Sequence, residues 1–173
     1  MINEKFLNAH GILVNKSFGL FYGGVFSNWY KAPFILHGLS FANSEQWMMY
    51  CKASLFKDEY AVDKILKTSD PSEVKQLGRS VKNYNDQLWK EQRYDLVKEG
   101  VFAKFDQNIE LGTVLLETKD LLLVECSQMD KQWGIGYFAN APECINPSLW
   151  KGQNLLGLML MDVRHTLSEM DID

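Results

Sequence analysis

Hydrophobic and polar positions change rhythm along the chain. The early part alternates short apolar runs with turn residues, the middle repeats at helical spacing, and the last third breaks into glycine and proline before one more helix. "FGLFYG" (18–23) is apolar and aromatic and predicts a strand. "PFILHGLSF" (33–41) predicts a hairpin with His37-Gly38 at its turn. Asn43 opens a helix as N-cap, and Gln46 three residues on completes a capping-box-like pair. "DEYAVDKILKTS" (58–69) is amphipathic, and Pro71 with Glu73 opens a short helix ending near Gly78. Residues 85–108 carry apolar side chains at 89, 96, 97, 101, 102 and 105, approximate helical spacing with Gly100 as a weak point. A further helix is predicted over 108–118, a short strand over 120–126, and a last helix over about 153–168. Strands and helices do not alternate regularly, so the fold class is α+β, mainly helical with a small sheet, rather than a doubly wound sheet.

One helix stands out. In "NSEQWMMYCK" (43–52), Glu45 and Lys52 are the only formally charged residues between Lys31 and Lys57. A charge in apolar surroundings is costly unless paired or used. Seven residues of helix put the two on one stripe, roughly 10 Å apart along the axis, too far for a direct pair but with room for a ligand. The bland alternative has Glu45 complementing the helix dipole while Lys52 reaches for solvent.

Four other stretches carry candidate chemistry. "VECSQMDKQWGIG" (124–136) ends a strand and runs into a loop with Asp130, Trp133, Gly134 and Gly136. Glycine there lets a ligand approach the backbone, although an ordinary loop around a packed tryptophan has the same letters. "LGRSV" (77–81) puts Arg79 and Ser80 beyond a helix end, a pairing suited to phosphate. "FSNWYKAPF" (26–34) sets the Asn28 amide beside Trp29 and Tyr30. In "LWKGQNLLG" (149–157), Gln153 or Asn154 is a helix cap.

Composition narrows the classes. The 173 residues suit one domain, 13% are aromatic, and the formal net charge of −4 argues against a broad footprint for a nucleic-acid backbone. Cys51, Cys126 and Cys144 are scattered and odd in number, with no Cys/His spacing for a disulfide framework or structural metal. "MINEKFLNAH" has charges where a signal peptide needs an apolar core, and no apolar run reaches the roughly 20 residues of a membrane span. The expectation is a cytoplasmic protein away from membranes. The histidines are isolated, so carboxylates are the candidates for acid–base work.

In order, "FSNWYKAPF", "SEQWMMYCK", "LGRSVK", "KFDQN", "LLLVECSQMDKQWGIG" and "WKGQNLLGLMLMDVR" resemble the YbiA-like, NADAR family of N-glycosidases, over about residues 18–167. The resemblance implies a YbiA-like fold, a single domain and hydrolysis of a ribose–nitrogen bond, with no cofactor or metal. It implies a small-molecule substrate, phosphoribosyl or ADP-ribosyl. One type of member splits phosphoribosylamino-pyrimidine intermediates of riboflavin synthesis into ribose 5-phosphate and a pyrimidine. Others act on ADP-ribose attached to guanine, which admits nucleic acid only as a modified substrate. A non-catalytic nucleotide-binding module is the reading from another class. By position, Glu45 and Asp130 would be the catalytic carboxylates, Asn28, Lys52, Trp89, Trp133 and Gly134 would line the pocket, and Arg79 would contact phosphate. The chain differs from some members at Gln46 (histidine), from a bacterial member at Ile135 (aspartate), and in the longer segment 137–150.

Overall fold

The computed structural model describes residues 2–170. They group into two compact units, a continuous one, Asn28–Asn108, and one built from the residues before 28 and after 108.

The split unit opens with α1 (Glu4–Ala9), capped by Asn3, and β1 (Ile12–Asn15), neither of which the hydrophobic pattern singled out. β2 (Phe18–Phe21) pairs antiparallel with β1, and across residues 28–108 the chain returns as α6 (Ile109–Glu117) and β5 (Leu122–Glu125). β5 lies parallel to β2, in register Phe18–Leu122 to Phe21–Glu125. α7 (Leu155–Met170) packs on β5. Leu20, Val124, Cys126, Ile135 and Cys144 form a core cluster here. Two single 3-10 turns, Pro142–Ile145 and Pro147–Leu149, are the regular pieces of the proline-rich stretch before α7.

The continuous unit begins with the expected hairpin, β3 (Phe34–Leu36) and β4 (Leu39–Phe41), turned at His37 and Gly38 with φ of +50° and +76°. Positive φ at both central residues is what a tight type I′ turn requires. Then come α2 (Ser44–Leu55), α3 (Glu59–Lys67), α4 (Pro71–Arg79) and α5 (Asp86–Gln107). Asn43, Asp58, Asp70 and Asn85 each accept a backbone N–H from the turn they open. α2 is the hub, packing against α3, α4 and α5.

The capping pair at Asn43 is displaced by one residue. Asn43 Oδ1 accepts from Gln46 N at 2.9 Å, but Gln46 Oε1 accepts from Ala42 N at 2.7 Å rather than from the cap itself. Gln46 Nε2 then donates to the carbonyls of Ile65 and Thr68, pinning the end of α3. All polar atoms of this buried amide are therefore used inside the fold.

Gly100, locally a weak point of α5, has a tertiary reason. A Cβ there would run into the ring of Trp47, whose Nε1 donates to Leu96 O at 2.7 Å. The missing side chain lets α2 and α5 approach. Among the described residues no helix is long and apolar enough to cross a membrane.

Candidate active site

In the continuous unit, α2 brings Glu45 into the interior at 4% exposure, in the first helical turn, where the dipole presents its positive end. Its backbone N–H donates to Asn28 O at 2.9 Å. Asn28 is itself buried, so it meets the "SEQ" block at the mouth of α2.

Lys52 is held by α4 and by an aromatic ring. Its ammonium donates to Gly78 O at 2.7 Å and lies 4.3 Å from the centre of the Tyr84 ring. Burial holds it below the ordinary lysine value, with Asp86 pulling the other way. A cation on the last turn of α4 satisfies a helix-terminal carbonyl. Lys52 thus braces α2 against α4, neither pairing with Glu45 nor reaching for solvent.

Arg79 ends α4 on the surface. With Trp29, Ser72, Lys75 and Gln76 it lines an open cleft of about 320 Å³. Trp89, early in α5, is buried inside.

The face of α5 also carries two charges that the sequence pattern passed over. Trp89, Arg93, Val97, Val101 and Lys104 follow one another at three- or four-residue steps, and all five are buried. Lys104 is 1% exposed, 5.0 Å from the ring centre of Phe105 and 5.7 Å from that of Tyr30. Burial pushes its amine down to about 7, so near neutral pH a large share carries a lone pair. The signal was the register: a lysine seven residues after Val97 falls on the stripe that faces the core.

In the split unit, the loop after β5 is organised by Asp130. Its Oδ1 accepts from Gln132 N at 2.9 Å and Trp133 N at 2.8 Å, and its own N–H donates to Ser127 Oγ at 3.2 Å. Gly134 is required by packing, since a Cβ would lie 2.9 Å from Glu125 O and 3.0 Å from Asp130 O. The two sequence blocks "DKQWGIG" and "WKGQN" come together: Lys151, Gln153, Asn154, Leu155 and Leu156 donate backbone N–H groups to Ile135, Lys131, Gly134, Gln132 and Trp133. Trp133 is nearly buried in this zipper, and Ile135 belongs to the core cluster. Asn154 does not cap α7 with its side chain. Its Oδ1 accepts from Glu125 N at 3.0 Å and its Nδ2 donates to Leu123 O at 2.9 Å, locking α7 to β5.

Comparison with known proteins adds four findings. The NADAR domain family matches residues 20–168. An N-glycosidase of Acanthamoeba polyphaga mimivirus is 40% identical over 169 residues, covering 95% of this chain and 97% of that protein. The NMR structure of the Escherichia coli protein YbiA aligns with a TM-score of 0.77 at 27% identity, covering 94% of this chain and 91% of that one. A riboflavin biosynthesis protein of Vibrio vulnificus is 30% identical over 146 residues, which span 84% of this chain and 36% of that longer protein.

Proposed function

The chain belongs to the NADAR domain family and is a hydrolase of N-glycosidic bonds, and from that premise we propose that it splits phosphoribosylamino-pyrimidines of the riboflavin-precursor type with Glu45 as the reacting carboxylate. The observation that carries the role of Glu45 is its placement: a buried acidic side chain at the positive end of a helix whose first turn is tied to Asn28. The choice of substrate is supported by the sequence resemblance and by the riboflavin biosynthesis relative.

Breaking a ribose–nitrogen bond builds positive charge on the anomeric carbon and its ring oxygen. A buried carboxylate stabilises that charge and orients the attacking water, because in a low dielectric the attraction is not screened. Water adds its hydroxyl to the anomeric carbon, its remaining proton ends on the leaving nitrogen, and the products are ribose 5-phosphate and the free aminopyrimidine. Lys52 contributes by fixing α2 against α4, and Asn28 by anchoring the first turn. Asp130, whose Oδ1 already accepts two amide protons, we assign to shaping its own loop.

The test offers the purified protein a phosphoribosylamino-pyrimidine, an ADP-ribosyl-guanosine and NAD, with products resolved by chromatography. The reading expects ribose 5-phosphate and aminopyrimidine from the first. Guanosine release from the second compound, with the first left intact, would move the substrate to ADP-ribosyl-guanine and overturn it.

A further inference from the structure

The first turn of α2 holds a hydroxyl that the fold does not use. Ser44 is fully buried, and its Oγ has no hydrogen-bond partner among the described residues. Its neighbours are already engaged or apolar. Asn43 Oδ1 accepts from Gln46 N, and the Gln46 amide is tied to Ala42, Ile65 and Thr68. Along the helix, Ser44 is followed at i+4 and i+7 by Met48 and Cys51, both buried and both weak hydrogen-bonding groups. Asn43 caps the helix, so Ser44 is not needed there either. A buried hydroxyl without a partner costs free energy that an alanine at the same place would not. Such orphans are rare in folded proteins, and functional sites are where local rules of this kind are broken.

We propose that the Ser44 hydroxyl holds the attacking water together with Glu45. The inference rests on the reading of Glu45 as the reacting carboxylate. Side chains on a helix lean toward its N-terminus, so those of Ser44 and Glu45 both lean toward the mouth at which Asn28 lies. Their Cα atoms are consecutive, about 3.8 Å apart, close enough for the two side chains to share one small molecule. Water suits a hydroxyl at 0% exposure better than a bulkier sugar group does. Ser44 Oγ accepts one hydrogen of the water, the carboxylate accepts the other, and an oxygen lone pair is left for the anomeric carbon. The water oxygen bonds that carbon as the carbon–nitrogen bond breaks. The hydrogen on Ser44 stays with the new sugar hydroxyl, and the one on Glu45 passes to the leaving nitrogen. A carboxylate alone fixes the water at one point, and the hydroxyl adds the second contact that sets its orientation.

Steady-state kinetics and urea unfolding of Ser44→Ala, Ser44→Cys and Ser44→Thr test this, on whichever of the three compounds above the wild type cleaves. Ser44→Ala is expected to lower kcat about tenfold or more, the scale of one lost hydrogen bond, with KM near the wild-type value. Its unfolding midpoint should equal or exceed wild type, because the unpaired hydroxyl is gone. Ser44→Cys keeps the size with a weaker hydrogen-bonding atom and should be impaired like alanine. Ser44→Thr restores a hydroxyl and should recover most of the rate. A wild-type kcat in Ser44→Ala or Ser44→Cys overturns the proposal, whether the midpoint falls, as for a structural hydroxyl, or KM rises, as for a sugar contact. If that happens on phosphoribosylamino-pyrimidine, the substrate reading stands without it. Cleavage of ADP-ribosyl-guanosine alone, with the Ser44→Ala defect present, sinks the substrate reading and keeps this one. Cleavage of none of the three compounds overturns both.

Discussion

The backbone N–H of Glu45 donates to the carbonyl of Asn28 at 2.9 Å, a main-chain tie at the start of α2 that does not involve the Glu45 carboxylate. Gln46, next in sequence, ties the same turn to Ala42, Ile65 and Thr68. The turn that presents Glu45 therefore has ties, at Asn28 and Gln46, that its carboxylate does not make.

Lys104 links stability to pH in a defined direction. Its amine titrates at about 7 in the folded protein against 10.5 for an ordinary lysine. Between these values the unfolded chain binds more protons, so this residue makes stability rise as pH climbs from about 7 towards 10. Below 7 both states are protonated and the burial penalty is fully present. One proton gives a slope of at most about 1.4 kcal/mol per pH unit. Urea unfolding of wild type and Lys104→Met across that range should show the slope in the first and a flatter profile in the second. Parallel profiles would refute it.

Gly100→Ala pits two effects against each other. Alanine favours a helix by about 1 kcal/mol over glycine. The new methyl, however, meets the Trp47 ring, which is fixed by its bond to Leu96 O. Overpacking of this kind costs about 1–3 kcal/mol or more, so the variant should be less stable despite its better propensity. A chemical denaturation midpoint at or above that of wild type would contradict the packing.

Asn154→Ala should cost about 2–3 kcal/mol, because it leaves the N–H of Glu125 and the carbonyl of Leu123 without their partner in the interior. Asn154 also sits at φ +53°, a conformation asparagine tolerates better than alanine. Thermal unfolding measures the loss. An unchanged midpoint would mean that the bridge from α7 to β5 is dispensable.

The sequence made some of this legible and hid the rest for physical reasons. Asn43, Asp58, Asp70 and Asn85 mark helix starts because a cap is satisfied within three residues of chain. The His37-Gly38 turn was equally local. Gly100 and Gly134 were visible as letters, but their reasons, the Trp47 ring and the Glu125 carbonyl, lie far along the chain. Lys52 was read as a charge in an apolar helix, and its partner is a backbone carbonyl, which no residue type announces. The burial of Arg93 and Lys104 was written in the register of α5, but charged letters mask a core face when apolar ones are being counted. α1 and β1, six and four residues long, were not read from the hydrophobic pattern.

The central claim is that the carboxylate of Glu45 takes part in breaking the ribose–nitrogen bond. Glu45→Gln keeps the shape and the tie to Asn28 and removes the charge. Steady-state kcat for this variant on phosphoribosylamino-pyrimidine, with an unfolding midpoint close to wild type, measures it most directly. The account predicts a fall of at least about 100-fold, the scale of a lost acid–base or electrostatic group. A variant that turns over at nearly the wild-type rate would contradict it.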